Sequence, residues 1–97
     1  MSGEIKLSIV TPNGKAASVT CDSVRMTAQD DVRGRNGGGL GIHPGHASAM
    51  IALEEGILTA LLDGTVVLKV NVKPGFAAVR NDVVTVLTEH ADIMKIE

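Results

Sequence analysis

The sequence predicts an all-β domain, an antiparallel β-sandwich or barrel of roughly seven to ten short strands. Three observations predict it. Short segments alternate between apolar and polar residues with a period of two. Turn residues such as Pro-Asn-Gly, Pro-Gly and Asp-Gly recur about every ten positions. No long stretch carries the 3.6-residue period of a helix.

Ile5, Leu7 and Ile9 alternate with Lys6 and Ser8, as a half-buried strand does. Thr11-Pro12-Asn13-Gly14 then turns the chain. Residues 16–20 read as a weak strand. Val24, Met26 and Ala28 alternate with Arg25, Thr27 and Gln29 and predict another. Residues 29–41 hold five glycines among charges of both signs, Asp30, Asp31, Arg33 and Arg35. That much glycine opposes any regular element on entropic grounds, so a loop is expected.

Pro44-Gly45 marks a tight turn. Residues 47–55 fit two readings. Ala47, Met50, Ile51 and Glu54 have helical spacing, and a short strand suits the stretch equally. From Gly56 onward the β pattern is strong. Leu58, Ala60 and Leu62 share a face, and Asp63-Gly64 is a two-residue hairpin signal. Val66, Leu68, Val70 and Val72 alternate with polar residues, Lys73-Pro74-Gly75 turns, and residues 76–79 form a strand. Asn81-Asp82 turns again before a β-branched strand over 83–88. The tail from His90 to Glu97 suits a strand end or a single helical turn.

The 97 residues suit one domain, here 1–97. A domain of this size buries roughly 60–65% of its unfolded surface, so its core is thin and a partner surface would help it. Nine basic and eleven acidic residues leave a formal charge of -2, without the basic face that nucleic acid requires. Phe76 is the sole aromatic residue, which disfavours base stacking and aromatic-walled ligand pockets. Cys21 is the sole cysteine and cannot form an internal disulfide, so it reads as a small buried hydrophobe in a reducing compartment. No apolar run is long enough to span a bilayer, and Met1-Ser2-Gly3-Glu4 does not open a signal peptide.

Candidate chemistry is sparse. His43 and His46 flank the Pro-Gly turn at a spacing that could share a metal, but the further donors, His90, Cys21, Asp30 and Asp31, are scattered. The bland reading is a turn whose histidines hydrogen-bond to backbone or to a partner. Cys21 lacks a nucleophile signature around it. Glu54-Glu55 reads as a solvated turn. The glycine cluster lacks the Gly-Lys-Ser/Thr ending of a phosphate-binding loop. No catalytic, metal or cofactor site is expected from these patterns.

One stretch is more specific. Gly39-Leu40-Gly41-Ile42-His43-Pro44-Gly45-His46-Ala47 resembles the G-x-L-G-I-x-P-G-H-A signature of the epsilon subunits of rotary F-type ATP synthases. Lys6-Leu7-Ser8-Ile9-Val10-Thr11-Pro12 resembles that family's first strand, and Leu53-Glu54-Glu55-Gly56-Ile57-Leu58 its Leu-x-x-Gly strand start. Gly75-Phe76-Ala77-Ala78-Val79 and Asp82-Val83-Val84-Thr85-Val86-Leu87-Thr88 resemble its closing hairpin. The resemblance implies a ten-stranded β-sandwich and a non-catalytic rotor subunit at the foot of the central stalk. It implies binding to the gamma subunit and to the polar loops of the c-ring, coupling ion translocation to ATP synthesis or hydrolysis. It implies a peripheral position on the cytoplasmic side of a bacterial inner membrane, with neither nucleic-acid binding nor membrane insertion. Gly39, Leu40, Gly41, Ile42, His43, Pro44, Gly45 and His46 would face gamma and the c-ring. Pro44 would set the turn, Gly41 and Gly45 would let backbone approach a partner, and His46 would hydrogen-bond across the interface.

The sequence departs from the family pattern in three places. Residues 29–38 are longer and richer in glycine and charge than the usual loop. Ser48 stands where proline usually follows His-Ala. The chain ends where the family's two-helix C-terminal domain begins, so the inhibitory brake attributed to that domain is expected to be missing. Two other functions compete: a stand-alone protein-binding β-sandwich of the same ancestry, and a metal-dependent activity on His43 and His46. Exposed strand edges also predict self-association of the isolated chain.

Overall fold

A computed structural model describes residues 3–29 and 38–96. Ten strands follow one another along them: β1 (Ile5–Thr11), β2 (Gly14–Cys21), β3 (Ser23–Ala28), β4 (Gly38–Ile42), β5 (Ala49–Leu53), β6 (Gly56–Leu62), β7 (Thr65–Val72), β8 (Gly75–Arg80), β9 (Val83–Thr88) and β10 (Ala91–Ile93). The hydrogen-bonded path runs β10-β7-β6-β3-β5-β8-β9-β1-β2, with β4 branching from β3. The joint between β3 and β5 is a single pair, Ala28 with Leu53, and there the path folds into two layers. One layer holds β10, β7, β6, β3 and β4; the other holds β5, β8, β9, β1 and β2. At the far end of the path β2 lies back against β6 and β7. The expected all-β sandwich is therefore the observed architecture.

Between the layers lies the core that the alternation predicts. Ile5, Leu7 and Ile9 from β1 meet Val24 and Met26 from β3, Leu58 and Ala60 from β6, Val70 and Val72 from β7, and Ala77, Val79, Val84 and Val86 from β8 and β9. Each fully buried Leu, Ile or Val contributes about 1.5–3 kcal/mol relative to an exposed one. Cys21 is fully buried among them. The buried polar side chain Thr88 is satisfied: its hydroxyl lies 2.7 Å from the Lys73 carbonyl and 3.2 Å from that of His90.

Four sequence readings change in the structure. The loop expected over 29–41 ends early, because 38–41 belong to β4. There the backbone pairs antiparallel with β3, from Val24 with Ile42 to Ala28 with Gly38, and Ile42 anchors the strand in the core. Ladder hydrogen bonds use main-chain groups only, so tertiary pairing overrides glycine's poor β preference. Residues 30–37 of that expected loop lie outside the described residues. The ambiguous stretch 47–55 resolves to strand β5, with Leu53 buried, Ile51 packed on the core and Met50 turned outward. The tail resolves to the short strand β10, paired with β7. Register shifts beside Ile9 and Ala60 place an extra residue in the partner strand, Ala16 of β2 and Val67 of β7, and interrupt strict alternation there. A bulge re-aims the side chains beyond it. In β7 the alternation from Val66 is therefore broken, and Val67 joins Leu68 at the core margin.

Candidate docking surface

Strand β4 delivers residues 39–46 to one end of the body. Ile42 is the root of this segment, at 1% exposure, and Leu40 packs half-buried against the core. Gly39 and Gly41 lie exposed along the strand. Beyond Ile42 the chain reverses: the His46 amide donates to the His43 carbonyl at 3.1 Å, closing the turn. Gly45 takes φ of +84°, a left-handed value that costs other L-residues about 1 kcal/mol or more. Its amide donates to Asp82 Oδ1 at 2.8 Å. His43 is exposed, whereas Pro44 and His46 are half-buried. The His46 Nδ1 sits 2.8 Å from the Ala47 carbonyl, which can only accept, so Nδ1 carries the proton.

The same end of the molecule gathers other turns. Asp63-Gly64 closes the β6–β7 hairpin with φ of 52° and 79°, as that dipeptide predicts, and the Asp63 amide donates to Asp22 Oδ2 at 2.9 Å. Asn81 and Asp82 close the β8–β9 hairpin, with φ of 50° and 62°. Gly3 passes directly over Pro44: a Cβ on Gly3 would stand 2.5 Å from the Pro44 Cβ, closer than atoms can approach.

The eight residues singled out in the sequence thus form one continuous strand edge and turn. The other donors do not join them. His90 lies at the opposite end, beside β10, with Nε2 2.8 Å from Asp92 Oδ1. Cys21 is in the core, where burial chiefly pushes its thiol pKa up, the nearby Asp22 adds to the rise, and a hydrogen bond from the Ser23 backbone partly offsets it. A protonated, buried thiol is a poor nucleophile. Asp30 and Asp31 lie outside the described residues. Among the described residues, no three of His, Cys, Asp and Glu cluster as metal ligands. Glu55 pairs with Lys73 at 3.0 Å, both half-exposed, an arrangement worth about 0–1 kcal/mol.

A second surface escaped the sequence reading. On the outer face of β5, β8 and β9, Met50 is 66% exposed, Phe76 52% and Leu87 45%. The register lines them up: Met50 stands opposite Ala78, Ala52 opposite Phe76, Phe76 opposite Leu87, and Leu87 opposite Val10. A groove of about 440 Å³ runs beside Phe76, between Val10, Pro12, Pro74 and Leu87. The available signal was that β8 and β9 are apolar at successive positions, hence on both faces; one face fills the core and the other is left over. Contiguous exposed apolar area on a small domain marks a contact surface.

The fold and the turn define the class: a small two-layer β-sandwich domain with a clamped terminal turn and an apolar outer face. Comparison with known proteins gives the family: the model of the ATP synthase delta/epsilon chain β-sandwich domain matches residues 4–93, and the chain belongs to that family. The ATP synthase epsilon chain of Bacillus subtilis is 34% identical over 88 residues, 91% of this chain and 61% of the relative. That of Thermodesulfovibrio yellowstonii is 33% identical over 93 residues, 95% of this chain and 60% of the relative. The chain therefore spans about three-fifths of the length of these relatives. Among solved structures, a chain of the Euglena gracilis mitochondrial ATP synthase superposes with a TM-score of 0.78 at 20% identity, over 96% of this chain and 55% of that one. A chain of the Tetrahymena thermophila mitochondrial ATP synthase central stalk and c-ring gives 0.68 at 11%, over 93% of this chain and 66% of that one. At these identities the structural likeness speaks for the fold.

Proposed function

We propose that this chain is a non-catalytic rotor subunit of an F-type ATP synthase, docking on gamma and on the c-ring to couple ion translocation to ATP synthesis or hydrolysis. The observation that carries the reading is the 39–46 segment. It keeps the family's signature residues and stands at the end of a stiff β body, rooted by Ile42 and turned by Pro44 and Gly45. A torque-bearing contact calls for a stiff scaffold and a turn fixed in place. A strand-fed turn with a buried root and a hydrogen bond to a neighbouring hairpin meets that need. The turn offers exposed His43 and glycine backbone to the polar loops of a c-ring, and the Met50–Phe76–Leu87 face offers apolar area to a coiled shaft such as gamma. On this reading the chain sits peripherally at the cytoplasmic face of a bacterial inner membrane, held there by its partners.

Co-purification with the gamma subunit of the same organism tests it. A stable one-to-one complex at micromolar concentration is expected, with no ATP turnover by the chain alone. Clean failure to bind that gamma overturns the proposal and leaves a stand-alone binding module as the better description.

A further inference from the structure

We infer that Asp82 is a positioning residue for the docking turn, its carboxylate fixing the Gly45 amide and thereby setting how tightly the turn engages its partner. The inference rests on the docking function proposed above and assigns a role to a residue outside the signature segment.

Asp82 and Gly45 are 37 residues apart in sequence, yet the Gly45 amide donates to Asp82 Oδ1 at 2.8 Å. An ionised acceptor makes a stronger hydrogen bond than a neutral one. The turn's own closure is one bond, from the His46 amide to the His43 carbonyl. The Asp82 bond ties the turn's apex to the β8–β9 hairpin. Asp82 is itself held. Its main chain sits at a left-handed φ of 62° in the β8–β9 hairpin, and its carbonyl accepts from the Lys6 amide at 2.9 Å. One residue thus joins β1, the β8–β9 hairpin and the docking turn. Gly3 also packs closely on Pro44, so the turn is held by two segments remote from it in sequence. A turn ordered in advance does not pay its ordering entropy on binding, so the grip raises affinity without touching the partner.

The test compares Asp82→Gly with Asp82→Asn. Glycine removes the acceptor and still accepts the left-handed φ, so the hairpin keeps its turn. Asparagine keeps an acceptor oxygen and tolerates that φ. Nitrogen-15 relaxation of the Gly45 amide reads the turn, and affinity for the organism's own gamma subunit with its c-ring reads the docking. Asp82→Gly is expected to raise the mobility of the Gly45 amide and to weaken binding roughly tenfold, the scale of one charge-assisted hydrogen bond. Asp82→Asn is expected to stay within about threefold. Unchanged Gly45 mobility in Asp82→Gly overturns the latch, and a mobile turn with unchanged affinity overturns its role in docking. A wild-type chain that binds neither partner instead sinks the docking function, while the relaxation measurement still decides the latch.

Discussion

Cys21 shows how burial alone determines a residue's chemistry. Its thiol is sealed in the core, and desolvation raises its pKa. The folded protein therefore holds the thiol proton more tightly than the unfolded chain does. The resulting stability is whole below the ordinary thiol pKa and is lost as pH climbs through the raised one. The urea midpoint of the wild-type chain is expected to fall through this alkaline window. Cys21→Ala, though less stable overall by about 1 kcal/mol, is expected to lose that component of the fall. Parallel pH profiles for the two proteins would refute the assignment. Among the described residues, no three of the residue types that suggested a shared metal in the sequence cluster.

At the scale of elements, the weak point is the joint between the layers. Only Ala28 with Leu53 pairs β3 to β5 in register. Gln29 reinforces that joint twice: its amide donates to the Ala52 carbonyl at 2.9 Å, and its Nε2 donates to the Leu53 carbonyl at 3.0 Å. The Glu54 amide adds a bond to the Thr27 carbonyl at 2.9 Å. Gln29→Ala is expected to cost about 1 kcal/mol, the worth of one side-chain hydrogen bond. Denaturation would give that figure, and hydrogen exchange should show the loss concentrated near Leu53 and Glu54. A neutral substitution, or a uniform loss across all strands, would show that the joint does not depend on Gln29. In the sequence Gln29 reads as the polar end of one strand's alternation and the start of a glycine-rich loop. Its partners lie 23 and 24 positions away, and no local pattern encodes a capping bond of that reach.

For the whole molecule, the balance between edges and faces decides how the isolated chain behaves. Among the described residues, β2, β4 and β10 each pair along one side. Two of these edges are poor templates: β10 is three residues long, and β2 carries an exposed Lys15. The Met50–Phe76–Leu87 face is the stickier surface. Self-association of the isolated chain is accordingly expected to weaken in Phe76→Ser, and to change little when Lys15 is replaced by Thr. Sedimentation velocity over a hundredfold concentration range distinguishes the two. A wild-type chain that stays monomeric throughout would count against an adhesive face.

The alternation of Ile5, Leu7 and Ile9, of Val24 and Met26, and of Val70 and Val72 determined the fold class and most of the core without coordinates. Side-chain period and burial are the same local property in a strand. The Pro44-Gly45 pair likewise foretold the turn after Ile42, because proline fixes its own φ and glycine tolerates the positive φ that the turn takes. Tertiary structure alone decided what depends on distant partners. It made a strand of glycines 38, 39 and 41 by giving them β3 to pair with. It chose strand over helix for β5 by placing β8 alongside. It shifted alternation at two bulges, left one apolar face uncovered, and brought Asp82 to Gly45. Such pairings are contacts between segments far apart in the chain, and only the folded geometry brings them within bonding distance.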